Sequence, residues 1–381
     1  MALRSLVVSL ILASPVGANA DMWCAHPLWV HEWGVHVLGP GPALPLPGWF
    51  HHAGPDATRP LAVRELPPDS GVRALPVLQF YVDGAPGRPI PIGLEVGFHG
   101  GPASAWYPQV DALVAAAQAN GPGAIAAKVE LDVLRAMRQQ YQRRNELVPP
   151  DPTKQLVWDR LTLTADAPRA PSPSDVPWVN TARAMPGALW VAGAQEAERF
   201  VFYEADTHEA NPLTVARADG WDPKHRAYVL KNGSDQAVHD VFVVTREAKS
   251  YLVHIDELVA HGTARFVLED HVASARDAEA ALRATLLEAP AKTPPAGCTM
   301  DRDPAVPVEH ATSHRLYGPE LDLLLSAWRE RFFAQPGTTI VYREDARALD
   351  EAMPLAIYAD MTTSVVLSRA SLALWEGVVL P

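Results

Sequence analysis

Short β-like runs recur roughly every ten residues from position 156 to position 268, and this spacing limits the fold more than any other feature of the sequence. Turn residues separate the runs, and Asn232-Gly233-Ser234-Asp235 has the composition of a tight hairpin turn. Short strands joined by tight turns pair antiparallel, so the sequence predicts an antiparallel β-sandwich. The candidate strands are residues 156–164, 187–193, 198–205, 213–218, 225–232, 238–246, 250–257 and 263–268.

Helical periodicity replaces the strand pattern in three other parts of the chain. Residues 109–147 carry apolar side chains at helical spacing opposite an Arg- and Gln-rich face, which predicts a helical insertion. Residues 271–289 predict a second helix, and Gly318-Pro319-Glu320 has the sequence of a helix start. We therefore predict the α+β class, in which an antiparallel β-sandwich core carries a helical insertion and a helix-containing C-terminal region.

The N-terminal twenty residues have the pattern of a secretory signal peptide. Arg4 precedes a short apolar run at residues 6–13, and Ala18-Asn19-Ala20 offers small residues for cleavage. We expect a secreted or periplasmic protein from which residues 1–20 are removed. An uncleaved membrane anchor is the alternative, but the apolar run is too short for a permanent span.

We expect the mature chain to form one body from two regions. Residues 21–270 would hold the β-sandwich domain with its insertion, and residues 271–381 would form a C-terminal α/β region packed on the same body. The net charge of −12 describes an acidic protein and argues against nucleic-acid partners, which require a basic surface. No later segment reaches about eighteen uninterrupted apolar residues, so we expect a soluble protein without a stable membrane span.

The chain has two cysteines, Cys24 and Cys298. An exported protein with an even number of cysteines usually pairs them, so we expect a Cys24–Cys298 disulfide. Two free thiols, or a metal ligand at Cys24, are the alternatives.

The segment from Trp29 to Val37 holds two Trp, two His and one Glu, the densest group of chemically capable side chains in the chain. His31-Glu32 begins like the zinc-protease pattern H-E-x-x-H, but the next histidine, His36, lies five residues after His31 instead of four. Val and Trp favour a strand over a helix here. On a strand, His31 would face one side, and Glu32 and His36 the other.

His31 and Glu32 are the candidate catalytic residues. A divalent metal is one candidate cofactor, and His31, His36, His51 and His52 are its candidate ligands, although their spacing alone does not assemble them. A bulge at Gly34 would be needed to bring Glu32 and His36 to one ion. The alternative is a buried His–Glu pair, in which an Arg or backbone donors satisfy Glu32 because an unpaired buried carboxylate is costly.

Other segments allow weaker hypotheses. Asp206-Thr207-His208-Glu209 follows a candidate strand and is either a cation site or an ordinary loop. Trp106-Tyr107 and Trp221 are either sugar-stacking aromatics or part of the core. No Ser lies in a G-x-S-x-G elbow, and no phosphate-binding or dinucleotide-binding glycine pattern occurs. The sequence therefore names no residues that bind an organic cofactor, and the cofactor is unknown.

Several motifs together resemble a family of secreted bacterial proteins that opens with a His-Glu-Trp-Gly-Thr-Phe-Thr signature. The chain departs from that signature after Gly34, where it continues Val35-His36-Val37. The resemblance implies export and the architecture above, and it transfers no catalytic residue. The motifs that carry it are Val30-His31-Glu32-Trp33-Gly34, Trp106-Tyr107-Pro108-Gln109, residues 198–203, and the segment from Leu316-Tyr317-Gly318 through Trp328 and Phe332-Phe333 to Ile340-Val341-Tyr342.

The sequence leaves three classes of function open. The first is a binding or structural protein of the cell envelope that uses the sandwich as a platform. The second is a hydrolase, metal-assisted or not, or another enzyme with its site around His31 and Glu32. The third is a domain that acts only inside a larger assembly.

Overall fold

The computed structural model describes residues 26–39, 44–52, 71–83, 86–110, 155–220, 225–288, 307–360 and 363–381. Within these ranges most regular structure is strand, in antiparallel and mixed sheets with four α-helices, which confirms the predicted α+β class with a sheet-rich core. The expected signal peptide, Cys24, Cys298 and nearly all of the expected helical insertion lie outside the described residues. No helix in the described ranges is long and apolar enough to cross a membrane.

Each candidate strand after position 156 is observed, with shifts of a few residues at the ends. The strands are β1 His26–Leu38, β2 His51–His52, β3 Gly71–Tyr81, β4 Ile90–Gly97, β5 Ala103–Tyr107, β6 Gln155–Thr164, β7 Trp190–Ala192, β8 Ala197–Glu198, β9 Val201–Thr207, β10 Leu213–Arg217, β11 Ala227–Asn232, β12 Val238–Arg246, β13 Ser250–Leu258, β14 Thr263–Val267, β15 Gly337–Glu344, β16 Leu355–Ala359 and β17 Thr363–Trp375. The helices are α1 Pro177–Arg183, α2 Ala275–Leu286, α3 Gly318–Arg329 and α4 Ala346–Ala352.

A nine-stranded sheet forms the centre of the fold, in the order β13-β12-β15-β17-β1-β3-β9-β5-β2. Its two longest strands, β1 and β17, are neighbours and run parallel, in register from His26 opposite Thr363 to Leu38 opposite Trp375. The other pairs in this sheet are antiparallel. The C-terminal strands β15 and β17 therefore belong to the same sheet as β1 and β3.

Two smaller sheets cover one face of the large sheet, and helices cover the other. On β1, Leu28 and Val30 belong to the core shared with the five-stranded sheet β16-β4-β6-β7-β8. Leu38, at the far end of β1, belongs to a separate core shared with the three-stranded sheet β10-β11-β14. Trp33 and Val35 point the opposite way and pack with α1, α2 and α3. We call the side of the large sheet that the two smaller sheets cover the sheet face, and the side that the helices cover the helix face.

Helix α3 shows how the sequence produces the helix face. Its Pro319 lies in the first turn, and the Glu320 side chain accepts a hydrogen bond from the Tyr317 backbone N–H, so the helix begins as predicted. Leu321, Leu324 and Trp328 lie at helical spacing and are buried. Full burial of one leucine contributes about 1.5–3 kcal/mol, which anchors α3 on β1.

Polar side chains occupy the sheet face between its two apolar cores. They come from β1, β3, β15 and β17, and they form a strip that we call the ionic belt. It consists of Glu32, His36, Arg73, Glu344, Arg369 and Ser371, connected in two groups by hydrogen bonds. The candidate site lies at one end of this belt.

Candidate functional site

Strand β1 sends its side chains alternately to the two faces, as predicted. His31 contacts α3 on the helix face, whereas Glu32 and His36 lie in the ionic belt on the sheet face. The predicted alternation is therefore confirmed, and it separates the two candidate catalytic residues. The register shift beside Gly34 has its extra residue in β3, where Pro76 lacks the N–H needed for the ladder. It does not bring Glu32 and His36 together.

His31 fastens β1 to the beginning of α3. Its Nδ1 lies 2.8 Å from Glu320 Oε2, and the Tyr81 hydroxyl donates to Glu320 Oε1 at 2.9 Å. A carboxylate only accepts, so His31 Nδ1 donates its proton. The His31 ring also contacts the Tyr81 and Tyr317 rings, at centroid distances of 5.4 and 4.5 Å. Burial, together with the Glu320 charge, raises the pKa of Tyr81 well above its usual value. These contacts give His31 a structural role.

Glu32 belongs to a closed ionic pair. Arg369 donates to both of its oxygens, and the Tyr203 hydroxyl donates to Oε1 at 2.6 Å. Arg369 also donates to Asp350 Oδ1 at 2.7 Å and to the Met353 carbonyl at 2.9 Å. This is the alternative that the sequence left open, a buried glutamate satisfied by an arginine. A catalytic role for Glu32 stays a prediction, and the geometry gives it no reacting partner among the described residues.

His51 and His52 lie at the far edge of the large sheet. Four strand spacings of about 4.8 Å place β2 roughly 19 Å from β1. His51 Nε2 lies 2.7 Å from Glu196 Oε1, and Gln109 Nε2 lies 3.2 Å from His51 Nδ1. The structure therefore does not bring the candidate metal ligands His31, His36, His51 and His52 to one point. His31 and His51 each contact a single glutamate, and of the four only His36 belongs to a group of three potential metal ligands in the described part of the chain.

A cleft of about 410 Å3 opens at the His36 end of the ionic belt. It lies between the two small sheets, and four separate elements supply its polar floor. His36 comes from the end of β1, Arg73 from the start of β3, Glu344 from the end of β15, and Glu209 follows β9. Gly71 lets β3 approach here, because a Cβ at this position would lie 2.6 Å from the Val37 carbonyl oxygen.

Arg73 is the centre of the floor. Its Nη1 donates to Glu344 Oε2 at 2.7 Å, and its Nη2 donates to Glu209 Oε2 at 2.5 Å and to Glu344 Oε1 at 3.1 Å. His36 Nδ1 donates to Glu344 Oε1 at 3.1 Å and lies 3.6 Å from Glu209 Oε2. Ser371 Oγ donates to Glu344 Oε2 at 2.5 Å. One guanidinium thus bridges two carboxylates that also face an imidazole.

The charges of this cluster stabilise one another. Burial alone would raise the pKa of Glu344, but Arg73 and His36 beside it hold that pKa well below its usual range. Burial alone would lower the pKa of Arg73, and Glu344 and Glu209 raise it instead. His36 Nε2 and Arg73 Nε are buried and have no hydrogen-bond partner among the described residues. The floor is therefore charged at neutral pH and keeps two unsatisfied polar atoms.

The rim of the cleft adds further polar groups. His99 Nδ1 donates to the Glu351 carbonyl oxygen at 2.6 Å, so a neutral His99 ring has its lone pair on Nε2. Asp345 caps α4 by accepting from the Arg347 N–H, and it lies 3.0 Å from His239 Nε2. With Glu351, the lining has four carboxylates against the single charge of Arg73. The cleft is thus acidic.

His36, Glu209 and Glu344 could hold a metal ion by distance alone, because one donor atom from each lies within 4.8 Å of the others. Of these, sequence analysis had named His36 as a metal ligand and Glu209 as part of a cation-binding or ordinary loop. It had missed Arg73 and Glu344. The available signal for one of them was the charged pair Arg343-Glu344, which follows the predicted strand Ile340-Val341-Tyr342.

The Glu32–Arg369 pair should be essential to stability. Arg369→Met leaves the buried Glu32 carboxylate without its cation, and Glu32→Gln leaves the buried Arg369 with only Asp350 as a charged partner. We expect a loss of about 3–5 kcal/mol in the free energy of unfolding for Arg369→Met and a smaller loss for Glu32→Gln. The double variant Glu32→Leu/Arg369→Met should recover part of this loss, because it removes both charges but leaves the Tyr203 hydroxyl and Asp350 without these partners. Urea unfolding measures it, with Arg283→Met as a control at a more exposed pair, where about 1 kcal/mol or less is expected. Single losses as small as the control would contradict the structural role.

Glu344 should make the protein acid-sensitive. Its pKa is lower in the folded state than in the unfolded state, so its contribution is complete above the unfolded value of about 4.3 and is lost as pH falls through the folded value. Urea unfolding between about pH 5 and pH 3 should give a shallower pH dependence for Glu344→Gln than for wild type. The exposed Glu330→Gln should keep the wild-type slope. Equal slopes for all three proteins would refute this contribution.

Comparison with known proteins assigns no family to the chain. No protein-family model matches it, and no curated protein matches it. The resemblance to the His-Glu-Trp-Gly family therefore still depends on the motifs alone.

Proposed function

We propose that this chain is an exported binding protein of the cell envelope, and that the cleft binds a small organic cation. The observation that carries the proposal is the acidic, partly apolar lining of the cleft. Export is supported by the signal-like N-terminus and by the family resemblance.

The size of the cleft suits a small organic molecule. Ligand pockets are usually about 300–1,000 Å3 and combine apolar walls with a few polar groups. The walls here include Ala237, Val238, Ala348 and Ala352, next to the Tyr342 ring. These side chains can cover the apolar body of a ligand and remove it from water.

The charge of the lining favours a cation. Arg73 is already engaged by Glu209 and Glu344, so it offers little attraction to an anionic ligand. Glu351 at the rim is exposed, and no described side chain pairs with it. A protonated amine could donate to Glu351 and to the free lone pair of a neutral His99 ring. The ligand class that fits best is therefore an amine with an apolar body.

Metal-assisted hydrolysis is the second candidate, moved from His31 and Glu32 to the cleft. One observation favours it, namely the three donor atoms of His36, Glu209 and Glu344 within 4.8 Å of one another. A bound metal would supply an activated water, and His99 at the rim could accept its proton. This alternative requires that the cluster accept an ion beside Arg73.

Calorimetric titration with three probes tests the binding proposal. The probes 2-phenylethylamine, 2-phenylethanol and 3-phenylpropanoate share an apolar body and differ in charge. We expect the amine to bind to the mature protein more tightly than the alcohol, and the acid not to bind. Glu351→Gln should weaken amine binding by up to about fivefold, because an exposed charge pair contributes about 1 kcal/mol or less.

A matched pair of variants on α4 locates the binding site. Ala348 lines the cleft, and Ala346 on the same helix is exposed and does not. Ala348→Phe should fill the cleft and abolish amine binding, whereas Ala346→Phe should leave it unchanged. Equal binding of the amine and the alcohol would refute the cationic ligand. Unchanged amine binding to Ala348→Phe would refute the cleft as its site.

A further inference from the structure

We infer that the Arg73 guanidinium prevents the His36–Glu209–Glu344 cluster from holding a divalent metal ion. The cluster would become a metal site if Arg73 were replaced by an uncharged residue. The exclusion of metal stands independently of the proposed ligand. Its consequence, that Arg73 reserves the cleft for organic cations, rests on the proposed function.

His36, Glu209 and Glu344 form a suitable set of ligands for a metal ion. One imidazole nitrogen and two carboxylate oxygens suit zinc and several other divalent transition metals. His36 lies on β1, Glu344 lies on β15 and Glu209 lies in the connection after β9, and one donor atom from each lies within 4.8 Å of the others. To bind an ion, His36 Nδ1 would have to give up the proton that it now donates to Glu344.

The Arg73 guanidinium is bound to the same oxygens that an ion would use. Nη2 contacts Glu209 Oε2 and Glu344 Oε1, at 2.5 and 3.1 Å. These two oxygens are also the ones nearest to His36 Nδ1, at 3.6 and 3.1 Å. Arg73 Nη2 therefore occupies the carboxylate lone pairs that face the His36 imidazole. A metal ion would have to displace the Arg73 guanidinium from them.

Charge balance explains why Arg73 and a divalent ion exclude each other. The two carboxylates carry two negative charges, which one divalent ion would neutralise. With Arg73 present as well, the partly buried cluster would have three positive charges against two negative ones, and charge that is removed from water without compensation is unfavourable. Arg73 cannot lose its charge, because a guanidinium stays protonated in proteins. Its side chain is only 6% exposed, so it has little room to swing into solvent.

The same arrangement leaves the rim free for another ligand. Glu351 and His99 lie outside the contacts that Arg73 makes, yet they line the same cleft. A ligand that needs only one or two acceptors, such as an ammonium group, can use them without displacing Arg73. A metal that needs three or four close donors cannot do so.

Zinc and manganese titrations of the untagged mature protein test the inference. Wild type should show no metal binding that depends on Glu344, so wild type and Glu344→Gln should give the same isotherm. Arg73→Gln should gain one equivalent of bound zinc, at least a hundredfold tighter than any wild-type binding. The double variant Arg73→Gln/Glu344→Gln should lose that site. Arg73→Lys, which keeps the positive charge, is the matched control and should behave like wild type.

Two results would overturn the inference. The first is a folded Arg73→Gln that gains no zinc site, and the second is a wild-type site that Glu344→Gln removes. The second comparison does not require Arg73→Gln to fold, so the inference remains testable if that variant is unstable. Titration of 2-phenylethylamine into the same wild-type preparation tests the two proposals separately. If wild type binds metal through Glu344 and still binds the amine, only the role of Arg73 is refuted.

Discussion

The fold is assembled around the parallel pairing of β1 with β17 and the buried Glu32–Arg369 ion pair that crosses it. The two strands are in register over their full lengths, so the first and last described strands form the middle of the large sheet. Glu32 lies opposite Arg369 in this register, and a slip by one residue would move each charge into the apolar helix face. The ion pair therefore specifies the register, and the apolar cores on both faces supply most of the stabilisation.

The position of the cleft follows from this arrangement. Two small sheets cover the sheet face at its two ends, and the polar side chains between them cannot be removed from water without partners. Glu32 accepts hydrogen bonds from Arg369 and Tyr203 in the part of the belt away from the cleft. At the open end, His36 and Arg73 share carboxylates at the floor of the cleft. The same strand thus provides one partner of a structural ion pair and, four residues later, part of the floor of the candidate site.

Much of the fold could be predicted from local patterns, whereas the site could not. Strand and turn spacing predicted β6 to β14, and the Gly-Pro-Glu sequence predicted the start of α3. Alternation along β1 predicted that His31 and Glu32 face opposite sides. The site depends on which strands become neighbours, and no local pattern places Arg73, in a Pro-rich stretch, beside Glu344 at the other end of the chain. The high density of His, Glu and Trp side chains in the Trp29–Val37 segment suggested a reactive site. The structure shows that this segment is a buried central strand.

The central claim is that the ligand binds in the cleft and not beside His31 or Glu32. Side-chain NMR of the histidines during titration with 2-phenylethylamine tests this claim. The ring nitrogen resonances can be assigned with single His→Gln variants. Binding in the cleft predicts that the His99 resonances shift most, that those of His36 shift less, and that those of His31 and His51 do not shift. Shifts at His31 with an unchanged His99 would contradict it.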